Sequence, residues 1–288
     1  MSKDINALLI FCEGPHDTAI LRTIFRKILN YNIVSDKFSE MPYPLDFLFK
    51  RMVSKHNYDD LSLDMVHKFH LPSEILRNEN NIVLLFESTG KNQYAPVKNL
   101  LTDYISLFLE NDVFSASAKE IIKNSKYLFI FDADEDGIEY YNALLKREYT
   151  KFSNIDFLNT ELSSFFSAHG RFNQDKALYI WSSTLDKGTL EDILVPIMEY
   201  KDATRLLKEK VKEALKNIFN WEISESDRVK NRAEYHKALL TVSGQKERPG
   251  KSLNVILKDR VLFDTEDLKK SPLIQEFIKF LKAFYEGL

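Results

Sequence analysis

Tyr127-Leu128-Phe129-Ile130-Phe131-Asp132-Ala133-Asp134-Glu135-Asp136-Gly137 decides how this chain is read. Five apolar residues of strand length run straight into a cluster of acids. A short apolar run closed by a turn signal reads as a buried strand. Side chains alternate along an extended chain, so Asp132 and Asp134 are expected to share a face. Gly137 permits a turn that brings Asp136 close. Three carboxylates at a strand end repel one another unless a cation compensates them. Hard oxygen donors of this kind suit Mg²⁺, Mn²⁺ or Ca²⁺. An EF-hand loop also begins D-x-D-x-D-G, but its twelfth position here is Ala143 and the incoming element is a strand.

Outward from that stretch, the same alternation of elements repeats. Asn6–Cys12 reads as a strand, broken by Glu13-Gly14-Pro15. Asp17 or Thr18 is expected to cap a helix reaching Leu29, with Ile20, Leu21, Ile24, Phe25 and Ile28 on one face. Ile82–Phe86 and Ala177–Trp181 read as further strands. Pro96–Glu110, Ile138–Arg147 and a segment from Gly188-Thr189 to Tyr200 read as helices. Strands alternating with helices predict an α/β fold, a mostly parallel sheet flanked by helices. Glu13 and the acidic hexapeptide would then both lie at carboxyl ends of strands, the edge where such sheets carry their sites. Residues 31–80, with Pro42, Pro44 and a short helix at Leu45–Lys55, read as an insertion. A boundary is drawn near residue 200, giving a 1–200 α/β domain and a 201–288 mainly helical, basic extension. Ala203–Phe219, Ala233–Val242 and Ile274–Tyr285 are the expected helices of that extension, and the last can pack internally or between copies in a homo-oligomer.

Composition narrows the classes. The 288 residues are 44% hydrophobic and 29% charged, ordinary globular usage. One cysteine, Cys12, excludes a disulfide framework and any zinc or iron–sulfur site built from cysteines. Residues 1–200 carry 21 basic and 29 acidic residues, and residues 201–288 carry 19 and 14. A basic C-terminal part is compatible with a nucleic-acid partner, and equally with solvated lysine-rich helices. No stretch approaches the ~20 apolar residues of a membrane span. Glu13 and Asp17 interrupt the apolar patch Ala7–Phe11 before it can serve as a signal peptide. A soluble, cytoplasmic protein without a membrane partner is expected. Gly90-Lys91 is not a P-loop, because the first glycine of that motif would fall at Leu85.

A strand followed by Glu13-Gly14, and much later a strand followed by D-x-D-x-D-Gly, resembles the Toprim domain. Topoisomerases, DnaG-type primases, ribosomal-RNA maturases and OLD-family nucleases share that domain. The matching stretches are Leu8 to Asp17 and Tyr127 to Gly137, and the resemblance spans about residues 6–200 with 31–80 poorly matched. Gly188-Thr189-Leu190-Glu191 is similar to a Gly-x-Leu-Glu segment of small stand-alone Toprim proteins. The resemblance implies Mg²⁺ or Mn²⁺ held among Glu13, Asp132, Asp134, Asp136 and Glu191, with Glu13, Asp132 and Asp134 catalytic. Glu191 has an equally good structural account, since the helix dipole favours an acid in a first turn. The 13 tyrosines include no distinctive nucleophile, and one cysteine builds no primase zinc module. The nearest expectation is therefore a nuclease of DNA or RNA like the OLD family. OLD proteins carry an ATPase that this chain lacks, so the resemblance allows an ATPase partner and a role in anti-phage defence. Lys91, Lys246, Arg248 and Lys251 are candidate phosphate contacts, with solvated surface charge as the plainer account. His16 can touch a phosphate, while Asp17 beside it is read as a cap. Two other classes stay open: a non-catalytic metal-binding regulator or interaction subunit, and a metal-dependent phosphatase.

Overall fold

From Ile5 to Cys12 every side chain except Asn6 is buried. A strand that is apolar on both faces belongs at the centre of a sheet covered by helices on each side. The computed structural model describes residues 2–34, 37–54, 71–88, 94–109, 118–152, 155–158, 161–183, 186–224 and 227–285, and it bears this out. The strands are β1 (Lys3–Cys12), β2 (Asn32–Ile33), β3 (Glu74–Asn78), β4 (Asn81–Glu87), β5 (Glu120–Asp132), β6 (Lys151–Phe152), β7 (Ile155–Asp156), β8 (Ser164–Phe165), β9 (Gly170–Phe172) and β10 (Lys176–Trp181). The helices are α1 (Pro15–Lys27), α2 (Leu45–Ser54), α3 (Tyr94–Leu109), α4 (Gly137–Tyr149), α5 (Leu190–Ile197), α6 (Asp202–Phe219), α7 (Val229–Gly244), α8 (Leu253–Asp259), α9 (Thr265–Lys270) and α10 (Pro272–Phe284).

The main sheet runs β2-β3-β4-β1-β5-β10-β9-β8. Its centre is parallel: β1 pairs with β4 on one side and β5 on the other, and β10 joins β5. Both margins are antiparallel. The α/β reading therefore holds, with two margins that the sequence did not announce. The stretch read as an insertion supplies β2, α2 and β3, and β3 extends the sheet beside β4.

Alternate residues of the central strands feed two cores. Leu8, Ile10 and Cys12 pack with α1, α5 and residues of α7, α8, α9 and α10. Ala7, Leu9 and Phe11 pack with α2, α3 and α4 on the opposite face. That second face is aromatic towards the carboxyl ends, where Phe11 stacks between Phe86 and Phe129 at 5.2 and 5.3 Å. Such ring pairs stabilise neighbouring strands beyond their buried area. The first core continues without a break from β1 into residues 253–285. Gly170 fits flush under Phe280, where a Cβ would meet the ring at 2.5 Å. No helix among the described residues is long and apolar enough to cross a membrane.

Candidate functional site

The order of the strands positions the site. Leaving β1, the chain first builds the β4 side of the sheet and later crosses to β5 on the other side. Between β1 and β5 the winding reverses, and open α/β sheets bind ligands in the crevice outside such a switch. Glu13 follows β1 and Asp132 ends β5, so both reach that crevice.

Local rules explain how each acid arrives there. Gly14 caps α1 and Pro15 opens it, a favoured first residue because its missing N–H needs no partner. Asp17, expected as the cap, instead lies in the first turn. Its Oδ2 accepts the Gly14 N–H at 2.9 Å and its Oδ1 accepts the Trp181 indole N–H at 2.9 Å. β5 ends at Asp132, so the extended alternation expected to align Asp132 with Asp134 stops there. Asp134 turns into the left-handed region at φ 47°, a conformation aspartate tolerates better than most residues. Its backbone pairs both ways with Gly188, at 2.8 and 2.9 Å. Gly188 holds φ 124°, and a Cβ there would meet Ser183 Oγ at 2.7 Å. This bridge sets the start of α5. The Leu190 N–H then donates to Asp132 Oδ1 at 2.8 Å, and Glu191 follows in the first turn of α5.

Glu13, Asp17, Asp132 and Glu191 share one electrostatic neighbourhood. Burial, then the charges of Asp17, Glu191 and Glu13, push the Asp132 carboxyl well above the usual carboxylate range. Burial and the Glu13 charge push Asp17 up to about 7, against the hydrogen bonds it accepts. Glu191 goes the other way. Burial opposes its ionisation, yet the His16 hydrogen bond and the Lys237 charge hold it below its ordinary value. His16 Nδ1 lies 2.9 Å from Glu191 Oε1, and Lys237 Nζ lies 3.8 Å from the same oxygen. Among the described residues, Glu191 Oε2 is buried with no hydrogen-bond partner.

The remaining sequence candidates divide. Asp136 is exposed, but with Glu13 and Asp132 it helps to raise the buried Tyr141 phenol after burial itself, so it borders the same crevice. Glu135, inside the acidic run, is an anchor: it accepts the Val229 N–H at 2.8 Å and pairs with Lys187 at 3.1 Å, docking the start of α7. Lys91 lies outside the described residues. Lys246, Arg248 and Lys251 are exposed beyond α7. Arg248 pairs with Asp259 at 2.6 Å and Lys246 with Glu247 at 3.7 Å. Asp17 and Lys237 were not expected at the site. The four-residue step from Glu13 to Asp17 across a helix start was the available signal for Asp17. Lys237 had none, because only the packing of α7 against α5 brings it in.

Oxygen donors from three distant segments form a donor set that suits a hard cation. Raised carboxyls and the orphaned Glu191 oxygen fit that need. Among the described residues, no three His, Cys, Asp or Glu side chains are already arranged as a ligand set.

No family model matches the chain, and no curated protein matches it. The fold is similar to that in the crystal structure of hypothetical protein PH0156 from Pyrococcus horikoshii OT3. The TM-score is 0.51 and the identity 12%, over 97% of this chain and 95% of that one. The likeness is one of fold.

Proposed function

We propose that the chain is a divalent-metal-dependent nuclease that hydrolyses phosphodiester bonds at the crevice between β1 and β5. One observation carries this reading. Carboxylates from the β1–α1 turn, the end of β5 and the start of α5 converge where burial, and after it their own repulsion, raises Asp132. A protein retains such a cluster at a cost unless a cation or a reaction uses it. Glu13, Asp132 and Glu191 would hold Mg²⁺ or Mn²⁺, with Asp17 beside them. The ion, when bound, neutralises charge on a phosphate and makes water a better nucleophile. Glu13 is suited to accept a proton in the crevice. His16 orients Glu191 through its 2.9 Å contact, and Lys237 supplies positive charge beside it. The resemblance of the two acidic motifs to Toprim enzymes points to the same class of chemistry.

A second reading has one observation in its favour. His16 and Lys237 already supply a hydrogen bond and positive charge to Glu191 without any metal. That suits a regulator in which the acidic site is structural. The deciding experiment incubates labelled DNA and RNA with purified protein in Mg²⁺, in Mn²⁺ and in EDTA, beside Glu13→Gln and Asp132→Asn. A nuclease cleaves in metal only, and each variant loses at least about 100-fold, the scale of a lost acid–base or metal-holding group. Equal cleavage by wild type and both variants would sink the assignment of the site. Release of phosphate from small monoesters without cleavage would make the protein a phosphatase.

A further inference from the structure

α4 leaves the crevice at Gly137 and carries two consecutive tyrosines into different surroundings. Tyr141 is buried and stacks on Phe131 at 5.1 Å. Its phenol is raised first by burial and then by the charges of Glu13, Asp136 and Asp132, which places it against the acidic cluster. Tyr140 is 47% exposed, with its ring edge-on to that of Tyr141 at 5.2 Å. Two turns further along α4, Arg147 shares the face of Tyr140, because positions i and i+7 coincide on a helix. The start of α3 borders this face. Burial, then Glu148 and Tyr140, raise the Tyr94 phenol while Arg147 lowers it, so these side chains are neighbours. Tyr94 also packs edge-on against Tyr149 at 6.2 Å.

The charges on this face do not cancel. Arg147 Nε lies 2.9 Å from Glu148 Oε1, and Lys98 Nζ lies 3.0 Å from Glu148 Oε2, so two cations share one carboxylate. The amino ends of the Arg147 guanidinium have no partner among the described residues, and the side chain is 66% exposed. The other charges of α4 are matched elsewhere, Glu139 by Arg171 at 2.8 Å and Lys146 by Glu161 at 2.6 Å. An exposed ring beside a surplus positive charge suits a single-stranded nucleic acid, whose bases offer π-faces and whose phosphates offer negative charge. Bases inside a duplex are already covered by one another. We propose that Tyr140 and Arg147, with Tyr94 and Lys98 beside them, form a stacking platform for single-stranded nucleic acid. An unpaired base lies on the Tyr140 ring and a backbone phosphate meets the Arg147 guanidinium. The inference rests on the nuclease reading and narrows its substrate to an unpaired strand, with α4 as the path by which that strand leaves the crevice.

The test measures binding, not cleavage, so that the two ideas can fail separately. Anisotropy of a fluorescent oligothymidylate is followed in EDTA from roughly 50 to 200 mM salt. Wild-type protein is compared with Tyr140→Phe, Tyr140→Leu, Arg147→Gln and Phe219→Leu, the last replacing an exposed aromatic at the end of α6. Wild type, Tyr140→Phe and Phe219→Leu should bind alike. Tyr140→Leu keeps apolar bulk but loses the ring, and should bind at least about fivefold more weakly, the lower bound for one base on an aromatic side chain. Its salt dependence should be unchanged. Arg147→Gln should instead flatten the log–log salt dependence by about 0.7, the value for one phosphate on a single strand. A blunt-ended hairpin duplex should fail to compete at concentrations where unlabelled oligothymidylate does. Failure of wild type to bind, binding by Tyr140→Leu equal to wild type, or an unchanged salt slope in Arg147→Gln would overturn the platform. An equal loss in Phe219→Leu, or equal competition by the duplex, would overturn it as well. Binding that depends on Tyr140 and Arg147 without any metal-dependent cleavage would retain the platform and remove the nuclease reading, and cleavage without that dependence would do the reverse.

Discussion

Asp132 accepts one backbone hydrogen bond and faces three other carboxylates. Replacing it by asparagine keeps an oxygen for the Leu190 N–H and removes the charge. We expect Asp132→Asn to melt higher than wild type in EDTA, because a buried repulsion is relieved, while metal-dependent activity is lost. Thermal melts in EDTA check this, and a lower midpoint would show that Asp132 is stabilised and not strained. The pH dependence follows from the same cluster. Asp17 titrates near 7 when folded and near 3.8 when unfolded. Between those values the folded state binds more protons, so this group's contribution is full at low pH and is lost as pH rises through about 7. Asp132 acts in the same direction. A cation that replaces those protons should therefore raise the melting midpoint more at pH 8 than at pH 5. Melts with and without Mg²⁺ at both pH values test it, and an equal shift at both would contradict the cation reading. At this scale the sequence was partly legible. The hexapeptide and Glu13-Gly14 could be seen because their chemistry is contiguous. Asp17 was misread because one side chain both tightens a helix start and joins the acidic cluster.

The short α5 carries Glu191 and Asp192 to different neighbours, and the Asp134–Gly188 bridge fixes its start. At Gly188 the left-handed φ and the contacts with Ser183 leave no room for a side chain. Gly188→Ala should cost about 1–3 kcal/mol, the range for forcing a residue into sparsely allowed backbone. It should also lower activity by moving Glu191, because Gly188 pairs with Asp134 and lies against Asp192 at the start of α5. Denaturant melts and cleavage assays check both effects, and an unchanged stability would mean that the bridge is dispensable. Elements with long apolar runs were legible: β1, β4 and β10 lie within three residues of their expected bounds, while β5 was found but begins seven residues earlier than expected, at Glu120. β2, β3, β8 and β9 were not. They are short, partly polar and antiparallel, so their existence depends on neighbours that no local pattern reveals. The pairing of α7 with α5 was hidden for the same reason.

Across the whole molecule, the helices after residue 200 cover one face of the sheet. Tyr179 and Trp181 of β10 pack against Phe277 of α10, with ring centroids 4.7 Å apart in each case. Trp181 also donates to Asp17, so the hydrophobic cover of α10 reaches the acidic cluster within two contacts. A chain ending at residue 200 should therefore lose fixed tertiary packing. We expect it to bind a hydrophobic dye and to lack a cooperative melt, and a sharp native-like transition would show that the first 200 residues are self-sufficient. How α10 meets β1 has a further consequence during synthesis. The Tyr285 hydroxyl donates to the carbonyl of Asn6, 279 residues away, and also reaches Asn81. On a ribosome moving at roughly 5–20 residues per second, the central strand waits on the order of tens of seconds for the helix that closes its face. Until then the face of β1 that meets residues 253–285 is only partly covered, and whatever shields it in that interval governs how much of the protein a cell obtains.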